Sequence, residues 1–241
     1  MDFTQENIYK LKEADAYFKR TPLKDIPKRG EIRESKKEIL SLLDTQLGEK
    51  LQNLDVLEIG CFVGDLLAKL SKDFNCNVNG IEPSSLATAY AKENFDLNLI
   101  NNTFDNSIFF DVNEANKSNF DLIIADGVFN CFSRNKILTA VGVIDWLLKP
   151  NGYLFIKDFS PTFELAHPHH HLKSEEIYSY KVSGGHKNLF LASGMYLIDY
   201  EITRLDEKFD FVKSAQADST IWSNALLKKV DKPVYPIVDF S

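Results

Sequence analysis

The chain is poor in cysteine, and its three, Cys61, Cys76 and Cys131, are scattered and odd in number. That leaves neither a disulfide framework nor a paired zinc spacing, and it predicts a reducing, cytoplasmic setting. No apolar run approaches the ~18 residues needed to span a bilayer. The opening residues, MDFTQENIYKLKEADAYFKR, are too polar for a secretory leader. Nor is there a basic excess. Twenty-eight Lys and Arg face 35 Asp and Glu, a net charge of −7, which argues against nucleic acid as the main partner. Internal repeats are missing, and the one biased tract is a short histidine cluster. With membrane and nucleic acid set aside, a small molecule is the expected partner.

What is present is a 241-residue chain with 44% hydrophobic residues, enough for one α/β domain with embellishments. It is organised around Val56 to Leu70, VLEIGCFVGDLLAKL. An apolar run, Val56, Leu57 and Ile59, enters a glycine turn from Gly60 to Gly64. Leu66, Leu67 and Leu70 then recur at helical spacing. Strand, turn and helix start together create a rim of unpaired amides that suits a nucleotide-like ligand. The dinucleotide fingerprint G-x-G-x-x-G is not met by Gly60-Cys61-Phe62-Val63-Gly64. An acid, Glu58, stands two residues before the first glycine. A carboxylate there would repel a phosphate and favours a ligand with an ammonium group.

This stretch resembles motif I of the Rossmann-like (class I) methyltransferases that use S-adenosylmethionine (SAM), usually E/D-x-G-x-G-x-G. Glu58, Gly60 and Gly64 match, and Phe62 occupies the place of the middle glycine. The resemblance implies a mostly parallel seven-stranded sheet with an antiparallel edge strand and helices on both faces. It also implies SAM as cofactor, with Glu58, Gly60 and Gly64 at its methionine end and Cys61 and Phe62 among the other cofactor-binding residues. Twenty-two residues beyond Gly60, Glu82 ends a second strand, Asn77 to Ile81, with Pro83 beside it. A carboxylate so placed matches two vicinal ribose hydroxyls. A surface acid at a strand end is the plainer alternative. After a third strand, Leu97 to Ile100, Phe104 and Asp105 are candidates for adenine. A fourth, Phe120 to Ala125, is continuously apolar, as buried parallel strands are. Asp126, Gly127 and Val128 follow at its carboxyl end, where open α/β sheets bind ligands. The fifth strand, Tyr153 to Phe159, closes with Lys157 and Asp158.

Before this domain (49–241), residues 1–48 predict two amphipathic helices, Asn7 to Lys19 and Glu31 to Leu47. They act either as plain packing or as a cap over the site. The second turns Ile32, Ile39, Leu40, Leu43 and Leu47 inward. An insertion, 160–185, carries His167, His169, His170 and His171. A general base, a metal site and a solvated loop compete for this cluster, and the expectation adopted is a base without metal. Histidine titrates near neutrality and suits proton removal from a hydroxyl. His170, His171 and His167 are the catalytic candidates, with Asp158 and Tyr180. A second resemblance, to small-molecule methyltransferases of bacterial surface-polysaccharide biosynthesis, rests on Tyr180-Lys181, His186, Leu189-Phe190 and Gly194. It implies Tyr180, Lys181 and His186 as substrate ligands, with O-methylation of a sugar-like or nucleotide-activated acceptor by a monomer or homodimer. N-methylation, RNA modification, a SAM-binding accessory role and a dehydrogenase are the alternatives.

Overall fold

In a computed structural model of the chain, the described residues are 5–104, 119–169, 171–172, 175, 177–205, 221–232 and 234. Asp105 and His170 fall outside them, as does the link after Leu205. Eight strands are defined among the described residues: β1 (Asp55–Ile59), β2 (Asn77–Ile81), β3 (Phe120–Asp126), β4 (Leu148–Phe159), β5 (Leu165–Pro168), β6 (Tyr178–Lys181), β7 (Tyr196–Leu205) and β8 (Ile221–Lys229). The helices are α1 (Gln5–Ile8), α2 (Ala14–Arg20), α3 (Glu34–Leu47), α4 (Asp65–Phe74), α5 (Ser85–Phe95), α6 (Ile137–Leu147) and α7 (Lys187–Leu191). A π-helical turn, Tyr9–Glu13, joins α1 to α2.

Six strands form one sheet in the order β2-β1-β3-β4-β8-β7, and β5 pairs with β6 in a separate hairpin. β1 to β4 run parallel, while β8 is antiparallel to both of its neighbours. The described sheet is therefore mostly parallel, with its antiparallel pairing at the β8–β7 edge, in line with the expected fold. The expected strand at Leu97 to Ile100 is reduced to one parallel bridge, Ile81 to Ile100. Leu97 and Leu99 turn instead onto the faces of Gly64 and Gly80.

Pleat alternation divides the core. Leu57, Ile123, Leu154, Ile156 and Leu227 point to the face covered by α6 and α7. Val56, Leu122, Ile124, Phe155 and Leu226 point to the face covered by α3 and α4. Helices thus cover both faces, as a buried parallel sheet requires. α3 follows the predicted apolar stripe, with Ile39, Leu43 and Leu47 buried and Gly48 at φ +53 ending it. One member of the buried stripe is charged: Lys36.

Candidate active site

A cavity of about 1270 Å³ opens at the carboxyl ends of β1 to β4, where ligands of open α/β sheets bind. Its floor begins at the β1–α4 turn. Gly60 has φ +70, and a Cβ there would come within 2.8 Å of Val128 Cγ2. Phe62 also takes a left-handed conformation, at φ +54. That costs a non-glycine residue roughly 1–2 kcal/mol. The ring is held by the N-terminal segment: Tyr17 at 5.4 Å, Phe18 at 5.7 Å, and the Arg33 guanidinium 4.7 Å over its face. The departure from the glycine motif is thus covered by residues outside the motif.

Glu82 sits against this turn. Phe62 N donates to its Oε2 and Ser84 N to its Oε1, each at 2.8 Å. Burial outweighs these donors and pushes its carboxyl up to about 7. Each oxygen keeps a further lone pair, and the residue lines the cavity. The start of α5 is capped twice, by Ser84 Oγ and by Asp15 of α2, which accepts from Ser84 Oγ, Ser85 Oγ and Leu86 N.

Deeper in, Lys36 Nζ lies 2.7 Å from Glu58 Oε1 and 2.9 Å from Asp126 Oδ2. Glu58 is fully buried, and its Oε2 has no hydrogen-bond partner among the described residues. Burial alone would lower the ammonium, yet Asp126 and Glu58 together raise it above the ordinary lysine range. Gly127, at φ +69, faces open space where a Cβ would be.

The opposite wall comes from the N-terminal segment and the β5–β6 hairpin. Gln5 Nε2 donates to the carbonyls of Cys131 and Tyr178, and Glu6 accepts from Ser133. His169 is buried, 3.8 Å from Glu13 and edge-on to Tyr9 at 5.3 Å. Arg20 holds Glu13 in an ion pair. Cys131 also lines this wall, with burial pushing its thiol up to about 12, which disfavours the reactive thiolate.

Residues 50–227 match the profile of a family described as a methyltransferase domain. The chain belongs to that family. Among solved structures, the fold is similar to magnesium protoporphyrin IX methyltransferase from Synechocystis PCC 6803, solved with bound SAM: 11% identity, 94% of this chain, 97% of that one, TM-score 0.62. It is similar to 1,6-didemethyltoxoflavin-N1-methyltransferase from Burkholderia thailandensis, solved with its substrate and S-adenosylhomocysteine: 14% identity, 82% and 79% coverage, TM-score 0.57. A SAM-dependent methyltransferase from Mesorhizobium loti matches at 12% identity over 78% of this chain and 96% of that one, TM-score 0.54. No curated protein matches the sequence. These structural likenesses concern the fold.

Of the residues expected around a cofactor, Gly60, Phe62, Glu82, Pro83, Phe104, Asp126, Gly127 and Val128 line the methyltransferase cavity. Glu58, Cys61 and Gly64 do not. Glu58 is the buried partner of Lys36, the Cys61 thiol points at the Ile81 carbonyl, and a Cβ on Gly64 would lie 2.7 Å from Leu97. Of the expected catalytic and substrate residues that are described, His171 alone is on the wall. His167 lies on β5 with its ring against the Pro168 carbonyl. Tyr180 stacks under Arg134 instead. Asp158, Lys181 and His186 gather in a separate buried cluster. Asp158 accepts from Asn130 and lies 3.7 Å from His186, and the Lys181 ammonium sits 3.5 Å over the Phe159 ring. Burial pushes the carboxyl of Asp158 up to about 7, the amine of Lys181 down to about 8, and His186 down to about 3. Burial thus disfavours the charged form of each of the three, and the His186 ring stacks on Phe129.

The wall residues that the sequence did not single out are Tyr9, Glu13, Arg33, Lys36 and, within the histidine cluster, His169. Lys36 carried a signal: it falls four residues after Ile32 and three before Ile39, a charge on an apolar stripe.

Proposed function

We propose that the protein is a SAM-dependent methyltransferase that methylates a hydroxyl of a small acceptor, with His169 as the base. The observation that carries this reading is the cavity itself. One wall offers a buried carboxylate with spare lone pairs, and the other offers a carboxylate-paired imidazole. The donor set suits the cofactor: Glu82 for the ribose hydroxyls, the Gly60–Phe62 turn and Asp126–Val128 for the methionine end, and Phe104 with Pro83 for the base. The volume exceeds what one ligand needs, leaving room for an acceptor. Bound SAM supplies a methyl on a positive sulfur, so no acid is required at the leaving group.

The protein's part is to position the acceptor, exclude water and take a proton. His169 accepts the hydroxyl proton as oxygen gains the methyl, and Glu13, fixed by Arg20, steadies the resulting imidazolium. The segment before β1 acts as the cap, since it supplies Tyr9, Glu13 and Tyr17 to the wall. The resemblance to surface-polysaccharide enzymes rested on Tyr180, Lys181 and His186, which lie off the cavity; sugar-like and nucleotide-activated acceptors remain the first compounds to offer.

The test is label transfer from methyl-labelled SAM to a panel of hydroxyl and amine compounds. Transfer to hydroxyls that falls sharply in His169→Ala supports the reading. Transfer confined to amines and indifferent to His169 replaces it with N-methylation.

A further inference from the structure

Lys36 belongs to α3, upstream of the stretch matched by the methyltransferase-domain family. It is 3% exposed, yet it lines the cavity. An ammonium carries three donors. Among the described residues, two are directed at Glu58 and Asp126. A buried lysine with a donor to spare, at the edge of a ligand cavity, is placed to receive an anion. Its neighbour Arg33 is already committed: its Nε and Nη2 bind Asp65, and its plane covers Phe62.

We infer that Lys36 is the ligand for the carboxylate at the methionine end of the cofactor, with Asp126 receiving the adjoining ammonium and Glu58 serving as the buried counter-ion that positions Lys36. The inference rests on the SAM reading above and gives the amino-acid end a partner for each of its charges. The inner set, one lysine and two carboxylates, sums to −1. SAM, with an ammonium, a sulfonium and a carboxylate, sums to +1. The two are complementary. The N-terminal segment then completes the cofactor site as well as capping it, and the family domain alone holds half of the amino-acid recognition.

The experiment is calorimetric titration of the full chain with three probes. S-adenosylhomocysteine has both charges. Its decarboxylated analogue, 5′-(3-aminopropyl)thioadenosine, keeps only the ammonium. 5′-Methylthioadenosine has neither. Wild type is expected to bind the first at least tenfold more tightly than the second.

Lys36→Met leaves Glu58 buried without its partner, so the double variant Lys36→Met/Glu58→Gln, which removes both charges, is measured beside it. In the folded double variant, S-adenosylhomocysteine falls to the level of the decarboxylated probe, while methylthioadenosine binds as before. Lys36→Arg restores most of the preference. A double variant that keeps the wild-type ratio between the first two probes overturns the assignment. So does selective loss in Arg33→Met with Lys36→Met unaffected. Wild type that binds none of the three probes overturns the SAM reading itself, which separates that failure from this one.

Discussion

The two walls of the cavity are built by different means. The sheet-side wall is made of backbone turns at strand ends, Gly60 to Phe62, Glu82 to Ser84 and Asp126 to Val128, whose positions the parallel register fixes. The covering wall is made of side chains delivered by a π-helical turn and a hairpin: Tyr9, Glu13 and His169. A backbone-built wall leaves its mark in glycines and acids at fixed spacing. A side-chain-built wall leaves only isolated residues that become neighbours after folding. Under the proposed function the first wall would hold the cofactor and the second would choose the acceptor.

The contrast breaks most visibly in turnover. His169→Ala is expected to lower methyl transfer by about 100-fold or more, as loss of a general base does, with S-adenosylhomocysteine affinity unchanged in calorimetry. A parallel fall in affinity would place His169 in the cofactor wall. Glu82→Ala does the reverse. It should weaken S-adenosylhomocysteine binding by roughly 1–3 kcal/mol through lost charge-assisted hydrogen bonds, and unchanged binding would remove Glu82 from the ribose.

Phe62 tests the joint between the walls. Phe62→Gly relieves the left-handed strain but empties the pocket between Tyr17, Phe18 and Arg33. A net loss of about 2 kcal/mol in chemical denaturation is expected, the cavity term exceeding the strain released. A stabilised variant would mean that the N-terminal segment does not hold the turn.

Asp158→Ala should cost about 2 kcal/mol of stability by orphaning the Asn130 and Phe159 amides, while S-adenosylhomocysteine affinity stays put. Reduced affinity would tie the buried cluster to the cofactor wall.

The smallest effect is on pH. The carboxyls of Glu82 and Asp158 are raised to about 7 in the folded chain, so the folded state holds protons that the unfolded state has released. Their contribution to stability is therefore greatest below the ordinary carboxylate range. It falls as pH rises to about 7 and is level beyond that. Affinity for S-adenosylhomocysteine should move oppositely, improving across pH 6 to 8 as Glu82 becomes a full acceptor. Melts and titrations at pH 6 and 8 check both directions.

Legibility in the sequence follows the same division. The strand-turn-helix at Val56 to Leu70, the acid at Glu82 and the strand ending at Asp126 all signalled themselves, because periodicity and glycine placement are local properties. The bridge at Ile100 did not, since pairing there is decided by Leu97 and Leu99 turning onto glycine faces. The insertion was recognised as histidine-rich. Which histidine faces inward depends on the hairpin register, which pairs His167 with Ser179 and leads His169 back under Tyr9. Asp158, His186 and Lys181 had suitable chemistry and spacing, but α7 and β6 pack them together away from the cavity. Lys36 was legible only as an anomaly, a charge where the stripe called for a hydrophobe.

The central claim is that the sheet-side wall is a SAM site. Its most direct test is calorimetric titration of the purified chain with S-adenosylhomocysteine, with NAD as the control. Micromolar binding of S-adenosylhomocysteine and none of NAD is the predicted result. NAD binding without S-adenosylhomocysteine binding would contradict the account and return the glycine turn to dinucleotide chemistry.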